Sequence, residues 1–192
     1  MIMPTIDTGY LTGQLLVAMP QMGDPRFERS VIYLCAHTAE GAMGLVVNRA
    51  LEDVRLPDLL RQLGIPDMGH SEAIRVHFGG PVETGQGFIL HSSDYVQDST
   101  LMVGGSVGLT ATLDILKDIA RGAGPHRSLL ALGYSGWGAG QLESEIQANG
   151  WLTVPADEAL LFDHDLDTKW ERALAKIGVD VRLLASGAAG HA

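Results

Sequence analysis

The run Gly133-Tyr134-Ser135-Gly136-Trp137 is where residue types and spacing in this chain first suggest chemistry. A serine at G-x-S-x-G spacing marks a nucleophile elbow, in which a sharp strand-to-helix turn presents the hydroxyl for attack. That turn needs small residues two positions either side of the serine, and Trp137 fills one of those positions. No histidine is placed by a local pattern to act as base. The stretch therefore reads as a plain strand-to-helix turn, with a hydrolase-type site near residues 133–143 as the alternative. Continued through Gly138 and Gly140, it could also cradle a phosphate, because free N–H groups and the helix dipole at a helix start attract anions. The G-x-G-x-x-G spacing fails, however. Counted from Gly136 it meets Gln141, and from Gly138 it meets Glu143, which complements the dipole itself and would repel a phosphate.

Two further clusters invite a metal or an activated thiol. Cys35 and His37 are two apart on an expected strand, so they share a face, with His77 or His91 on other strands as possible completing ligands. With no C-x-x-C or H-x-x-x-H spacing, a small buried cysteine beside a hydrogen-bonded histidine is the simpler expectation. Asp163-His164-Asp165-Leu166-Asp167 begins like a calcium loop, but Thr168 and Leu174 stand where that loop needs its glycine and its bidentate glutamate. The acids there are expected to precede and cap a helix. No metal site and no cofactor is expected.

A different kind of candidate is a ligand groove. The polar loop carrying Asp24 and Arg26, the strand end Asn48-Arg49 and the turn Gly79-Gly80-Pro81 combine charged, amide and backbone-exposing residues of the kind that line binding sites. If the fold brings them together, Arg49 is the expected anion contact. Surface ion pairs and tight turns are the plainer account of the same residues.

Strands are expected over residues 11–19, 30–37, 43–49, 74–78, 87–91, 128–134 and 151–154, with a weaker glycine-containing one at 101–107 and a last one at 179–184. A hairpin is expected at Glu40-Gly41. Helices are expected over 56–63, 110–120, 141–148 and 168–177. Thr168 and Glu171 have capping-box spacing at the start of the last helix. Residues 1–9 form a loose lead-in to one domain spanning 1–192. Strands and helices mix without regular βαβ alternation, which gives an α+β class.

Composition narrows the function. At 192 residues, 46% hydrophobic and 19% charged, the chain can bury a full core without staples. A single cysteine forbids an internal disulfide and fits a reducing compartment. The first basic residue is Arg26, and no apolar run approaches the ~18 residues of a membrane span, so the chain reads as cytoplasmic. A net charge of −10, with 13 scattered basic residues, argues against nucleic acid and anionic lipid as partners.

Residues 19–48 (MPQMGDPRFERSVIYLCAHTAEGAMGLVVN), Gly79-Gly80-Pro81, the strand GFILHS at 87–92 and the segment LGYSGWGAGQLESEIQANGWL at 132–152 together resemble the YqgE/AlgH family. The end of the chain, with Trp170 and Gly178-Val179-Asp180, fits more loosely. The resemblance implies a bacterial cytosolic protein with a mixed, bifurcated β-sheet flanked by helices, part of it closing into a small barrel. One branch of that family is labelled a transcriptional regulator, a label that names no chemistry. The family pattern often carries alanine where this chain has Ser135. No constellation combines a nucleophile, a base and an oxyanion donor, so a non-catalytic binding or regulatory role is expected, with a small molecule or a protein as partner. An unrecognised enzyme is the rival, and direct DNA binding is opposed by charge.

Overall fold

In the computed structural model, which describes residues 10–72 and 74–182, the apolar runs become strands of one continuous sheet. β1 (Gln14–Ala18), β2 (Val31–Thr38) and β3 (Gly41–Val46) form an antiparallel meander, with the β2–β3 hairpin closing where Glu40-Gly41 predicts it. β10 (Trp151–Pro155) adds to the free edge of β1. β4 (Ala50–Arg55) leads directly into α1 (Leu56–Gln62), which carries Pro57 in its first turn, where no N–H is needed. β5 (Arg75–Phe78), β6 (Val82–Ser92), β7 (Leu101–Val103), β8 (Val107–Thr110) and α2 (Leu113–Ala120) follow, then β9 (Ser128–Gly138) and α3 (Gln141–Gln147). Two helices, α4 (Glu158–Phe162) and α5 (Lys169–Lys176), come after β10.

β9 is where the sheet divides. Its first half pairs antiparallel with β6 and parallel with β5, and its last four residues pair antiparallel with β3. The partner changes around Gly133, whose φ of +77° suits glycine. At this fork Gly79 and Gly80 lie against the backbone of β9. A Cβ on Gly79 would sit 2.2 Å from Gly133 O, and one on Gly80 would sit 2.1 Å from Tyr134 C. Only bare Cα atoms allow that approach. The architecture is α+β, with the bifurcated mixed sheet that the family resemblance implies.

The two faces of the β1–β2–β3 layer are both covered. Leu15, Val17, Val31 and Tyr33 pack on one side with Trp170 and Leu174 of α5. The intervening Leu16, Ala18, Ile32 and Leu34 pack on the other with Trp137, Trp151 and Leu142 of α3. This is strand alternation with apolar residues on both faces. A separate cluster joins Leu56 and Leu60 of α1, Ile115 and Ile119 of α2, and Ile89 and Leu130 of the sheet.

Several expectations are corrected. The strand expected at 128–134 runs on to Gly138, so the glycine-rich turn shrinks to Ala139-Gly140. The single weak strand at 101–107 is a hairpin of β7 and β8, turned by Gly104 and Gly105 at φ +63° and +88°. Thr168 makes no side-chain cap on α5; its hydroxyl donates to Asp165 Oδ2 at 2.8 Å instead. Residues 179–182 form no strand, although Val179 and Val181 pack on the core, and 183–184 lie outside the described residues. The lead-in 1–9 also lies outside them. β4 and α4 were not expected. No helix among the described residues is long and apolar enough to cross a membrane.

Candidate functional site

Trp137, next to last in β9, and Trp151, first in β10, are brought together because both strands flank the same edge of α3. Their rings meet edge to face, with centroids 6.0 Å apart. Glu145 fixes them. Its Oε1 accepts the indole N–H of Trp137 at 3.0 Å and that of Trp151 at 2.9 Å. Gln141, one helical turn earlier, donates to Glu145 Oε2 at 2.9 Å and accepts the Gly138 N–H at 2.9 Å, which locks the tight turn from β9 into α3. Gly140 is the N-cap at φ +73°, and Glu143 sits in the first turn as its charge suggests.

Phe27 from the 21–29 loop packs edge to face on Trp151, at 5.8 Å between centroids. A groove of about 380 Å³ opens over this assembly. Its apolar lining comes from Met22, Phe27, Val82, Trp137, Ala148 and Trp151, and its polar rim from Asp24, Arg26, Gln141 and Glu145. That volume and that mix of apolar walls with few polar groups are typical of small-molecule sites.

Of the residues singled out in the sequence, Asp24 and Arg26 line this groove, paired in a two-point ion contact with N–O distances of 2.7–3.2 Å. The Arg26 guanidinium and backbone N–H hold the Asp24 carboxyl below the usual carboxylate range. Gly79 and Gly80 do not line the groove, whose wall begins at Pro81; they lie against the backbone of β9 instead. Asn48 and Arg49 instead grip the loop from behind. Asn48 accepts the Val31 N–H and donates to Arg29 O, both at 2.9 Å. Arg49 donates to Arg26 O at 2.6 Å and Glu28 O at 3.0 Å, with its guanidinium over the Phe78 ring. These two residues open onto a different depression, shared with Glu52, Arg75 and residues 164–167.

The residues with nucleophilic potential are enclosed. Ser135 is fully buried within β9, and its hydroxyl donates to Gly79 O at 3.2 Å, so no elbow forms. Burial pushes the Cys35 thiol up to about 12, far from a thiolate at neutral pH. His37 accepts the Leu11 N–H on Nδ1 at 3.1 Å. Its buried Nε2 lies 3.2 Å from Glu143 Oε2 without meeting hydrogen-bond geometry. His77 donates from Nδ1 to Leu130 O at 3.2 Å, and burial lowers its pKa to about 4. His91 is held between Ser92 O and Thr110 Oγ1. Each of these histidines is engaged with its own separate hydrogen-bond partner, so they do not converge on a common centre. Among the described residues no group of three or more His, Cys, Asp or Glu is placed to hold a metal ion.

Glu145 and Gln141 are not singled out by any motif in the sequence. Their four-residue spacing, between tryptophans at either end of the helix, was the available signal. Apart from Val82, the groove is lined from residues 19–48, the turn at 79–81 and residues 132–152, three of the stretches on which the family resemblance rests.

Comparison with known proteins agrees. The AlgH-like family pattern matches residues 15–182. A UPF0301 protein of Rhodospirillum rubrum is 58% identical, over 99% of this chain and all of its own length. A UPF0301 protein of Bradyrhizobium diazoefficiens is 56% identical over 98% of this chain. The solution structure of the AlgH protein from Pseudomonas aeruginosa superposes with a TM-score of 0.79 at 43% identity, covering 95% of this chain and 97% of that one. A crystal structure from Corynebacterium diphtheriae shares the fold, with a TM-score of 0.72 at 19% identity over 94% of this chain. On the extent of the pattern match and the identity of these bacterial relatives, the chain belongs to the AlgH-like family.

Proposed function

We propose that this protein is a non-catalytic, cytosolic binding protein with a regulatory output, and that its ligand is a small organic molecule held in the indole-floored groove. The observation that carries this reading is the Glu145 clamp. One carboxylate orients two indoles from separate strands, so the aromatic floor is set before any ligand arrives, which lowers the ordering cost of binding. Asp24 and Arg26 form the charged rim. Asn48 and Arg49 hold the loop that carries them, and Gly79 and Gly80 admit the wall strand. Enclosure of Ser135 and Cys35 supports binding over catalysis, because neither can reach a ligand in the groove as an activated nucleophile.

The test uses Ala148→Trp, an exposed rim position whose enlarged side chain fills the groove. Parent and variant are each incubated with the small-molecule fraction of a bacterial lysate and examined by native mass spectrometry. A stoichiometric adduct on the parent alone is expected. The same adduct on the blocked variant, or chemical conversion of the bound molecule, would sink the reading.

A further inference from the structure

Away from the indole groove, and sharing no lining residue with it, lies a wider cleft of about 750 Å³. It opens between the turn that joins α2 to β9, the segment just before β5, and the end of α4. Four groups able to carry positive charge line it: His70, His126, Arg127 and His164. They come from three separate parts of the chain, so their meeting is a product of the fold.

Each is placed by its backbone or its neighbours. The His70 ring rests on the bare Cα of Gly122, where an added Cβ would lie 2.8 Å from Nε2. The N–H of His126 is held by Asp94 Oδ2 at 2.9 Å. The carbonyl of His164 accepts from Arg75 at 3.3 Å and from the Leu166 N–H at 3.0 Å. Among the described residues, none of the four side chains makes a hydrogen bond or ion pair of its own.

The acids nearby are engaged already. Asp163, the acid in the lining, pairs with Arg172 at 3.0 Å and accepts the Asp165 N–H at 2.6 Å. Asp94 accepts the Ser92 hydroxyl and the His126 N–H. Asp118 on α2 is shared by Arg121 and the Tyr95 hydroxyl. The cleft thus presents side-chain donors without hydrogen-bond partners beside carboxylates that have them, with Asp94 also attracting His126, in a chain of net charge −10.

From this geometry we infer a second site, which binds a small phosphorylated metabolite. A guanidinium matches phosphate oxygens at two points, and imidazole N–H groups supply further donors. Donors spread over four side chains suit the three terminal oxygens and the higher charge of a phosphate ester better than the two oxygens of a carboxylate. The cleft also has an apolar wall, from Ile74, Ile119, Pro125 and Phe162, against which an organic body packs. Its volume falls within the usual range for small-molecule sites. The inference stands independently of the groove reading, since the two sites share no residue.

The test is a titration of the full-length, isotope-labelled protein with adenosine monophosphate, glucose 6-phosphate, inorganic phosphate and succinate, followed by NMR. Saturable shifts are expected at His70, His126 and His164 with both phosphate esters. Affinity for adenosine monophosphate should exceed that for inorganic phosphate and for succinate by about fivefold or more, reflecting the apolar wall and the phosphate contacts. Raising the salt from about 20 mM to about 200 mM should weaken binding, as screening of an exposed charged site demands. Arg127→Gln and His70→Gln, exposed changes on two different segments, should each weaken it about fivefold or more while leaving thermal melts unchanged. No saturable shift by about 10 mM ester, equal affinity for succinate or inorganic phosphate, unchanged affinity in both variants, or shifts confined to the Trp137 and Trp151 indole signals would each overturn the inference.

Discussion

Replacing Glu145 with leucine removes the one acceptor that two indoles share, and the cost can be worked from the structure. Trp137 and Trp151 are 7% and 2% exposed, so their N–H groups have little water to turn to. A hydrogen bond to a charged acceptor contributes ~1.5–3 kcal/mol, and an unsatisfied buried donor keeps most of that as a penalty. Two such bonds give ~3–6 kcal/mol. The groove admits some water to the indole edges, which brings the expected loss down to about 2–4 kcal/mol. Leucine is nearly as good a helix former as glutamate, so α3 itself is not the cause. Glu145→Gln retains a carbonyl oxygen for both indoles and should cost only about 1 kcal/mol. Urea unfolding followed by far-ultraviolet circular dichroism measures both without relying on the indoles as probes. A leucine variant within ~0.5 kcal/mol of the parent, well inside the range of ordinary surface changes, would show that the clamp does not hold the floor.

Other expectations follow from particular contacts. His77 has its pKa pushed down to about 4 by burial, whereas the unfolded chain takes up that proton near the ordinary value of about 6.5. Protons therefore favour the unfolded state as pH falls from about 6.5 to 4, and His77 should account for about 3 kcal/mol of lost stability over that window. His77→Gln, which keeps an N–H for Leu130 O, should lose correspondingly less when urea midpoints are compared across those pH values; parallel profiles would refute this. Gly80→Ala must push a Cβ into the backbone of Tyr134 and should cost more than about 3 kcal/mol, while Gly23→Ala, with nothing within 4 Å, should be near neutral by the same melts. Ser135→Ala loses one buried hydrogen bond to Gly79 O and should cost about 1 kcal/mol. The native serine should resist a fluorophosphonate probe, and stoichiometric labelling would reveal an active nucleophile.

Much of the fold can be read locally, because β2 and the first half of β9 are unbroken apolar runs and α2 shows helical spacing. The fork in the sheet cannot. Nothing within residues 128–138 says that the strand changes partners near Gly133, since that depends on pairing with residues 41–44, 76–78 and 82–91. β4 (ALEDVR) has no buried residue, and it becomes a strand only by pairing with β5. α4 is five residues long and is held by Asp157 accepting the Leu160 N–H. At the site, Asp24 and Arg26 could be picked out because polar loops often bind. Asn48 and Arg49 looked like ligand groups for the same reason, but their amide and guanidinium hold loop backbone. Trp137 and Trp151 are largely buried and belong in part to the core. Only the meeting of Phe27, Trp137 and Trp151 across the chain turns one edge of that core into a groove floor.

If the indole-floored groove is the binding site, the two indole N–H signals report on it directly. The isotope-labelled protein is mixed with the small-molecule fraction of a bacterial lysate, and the NMR signals of Trp137 Nε1–H, Trp151 Nε1–H and the Gln141 side-chain amide are followed. These three signals are expected to shift together and saturably, and Ala148→Trp to abolish the shifts while the protein stays folded. Saturable shifts elsewhere with these three unmoved, or shifts that survive in the blocked variant, would contradict the groove as the binding site.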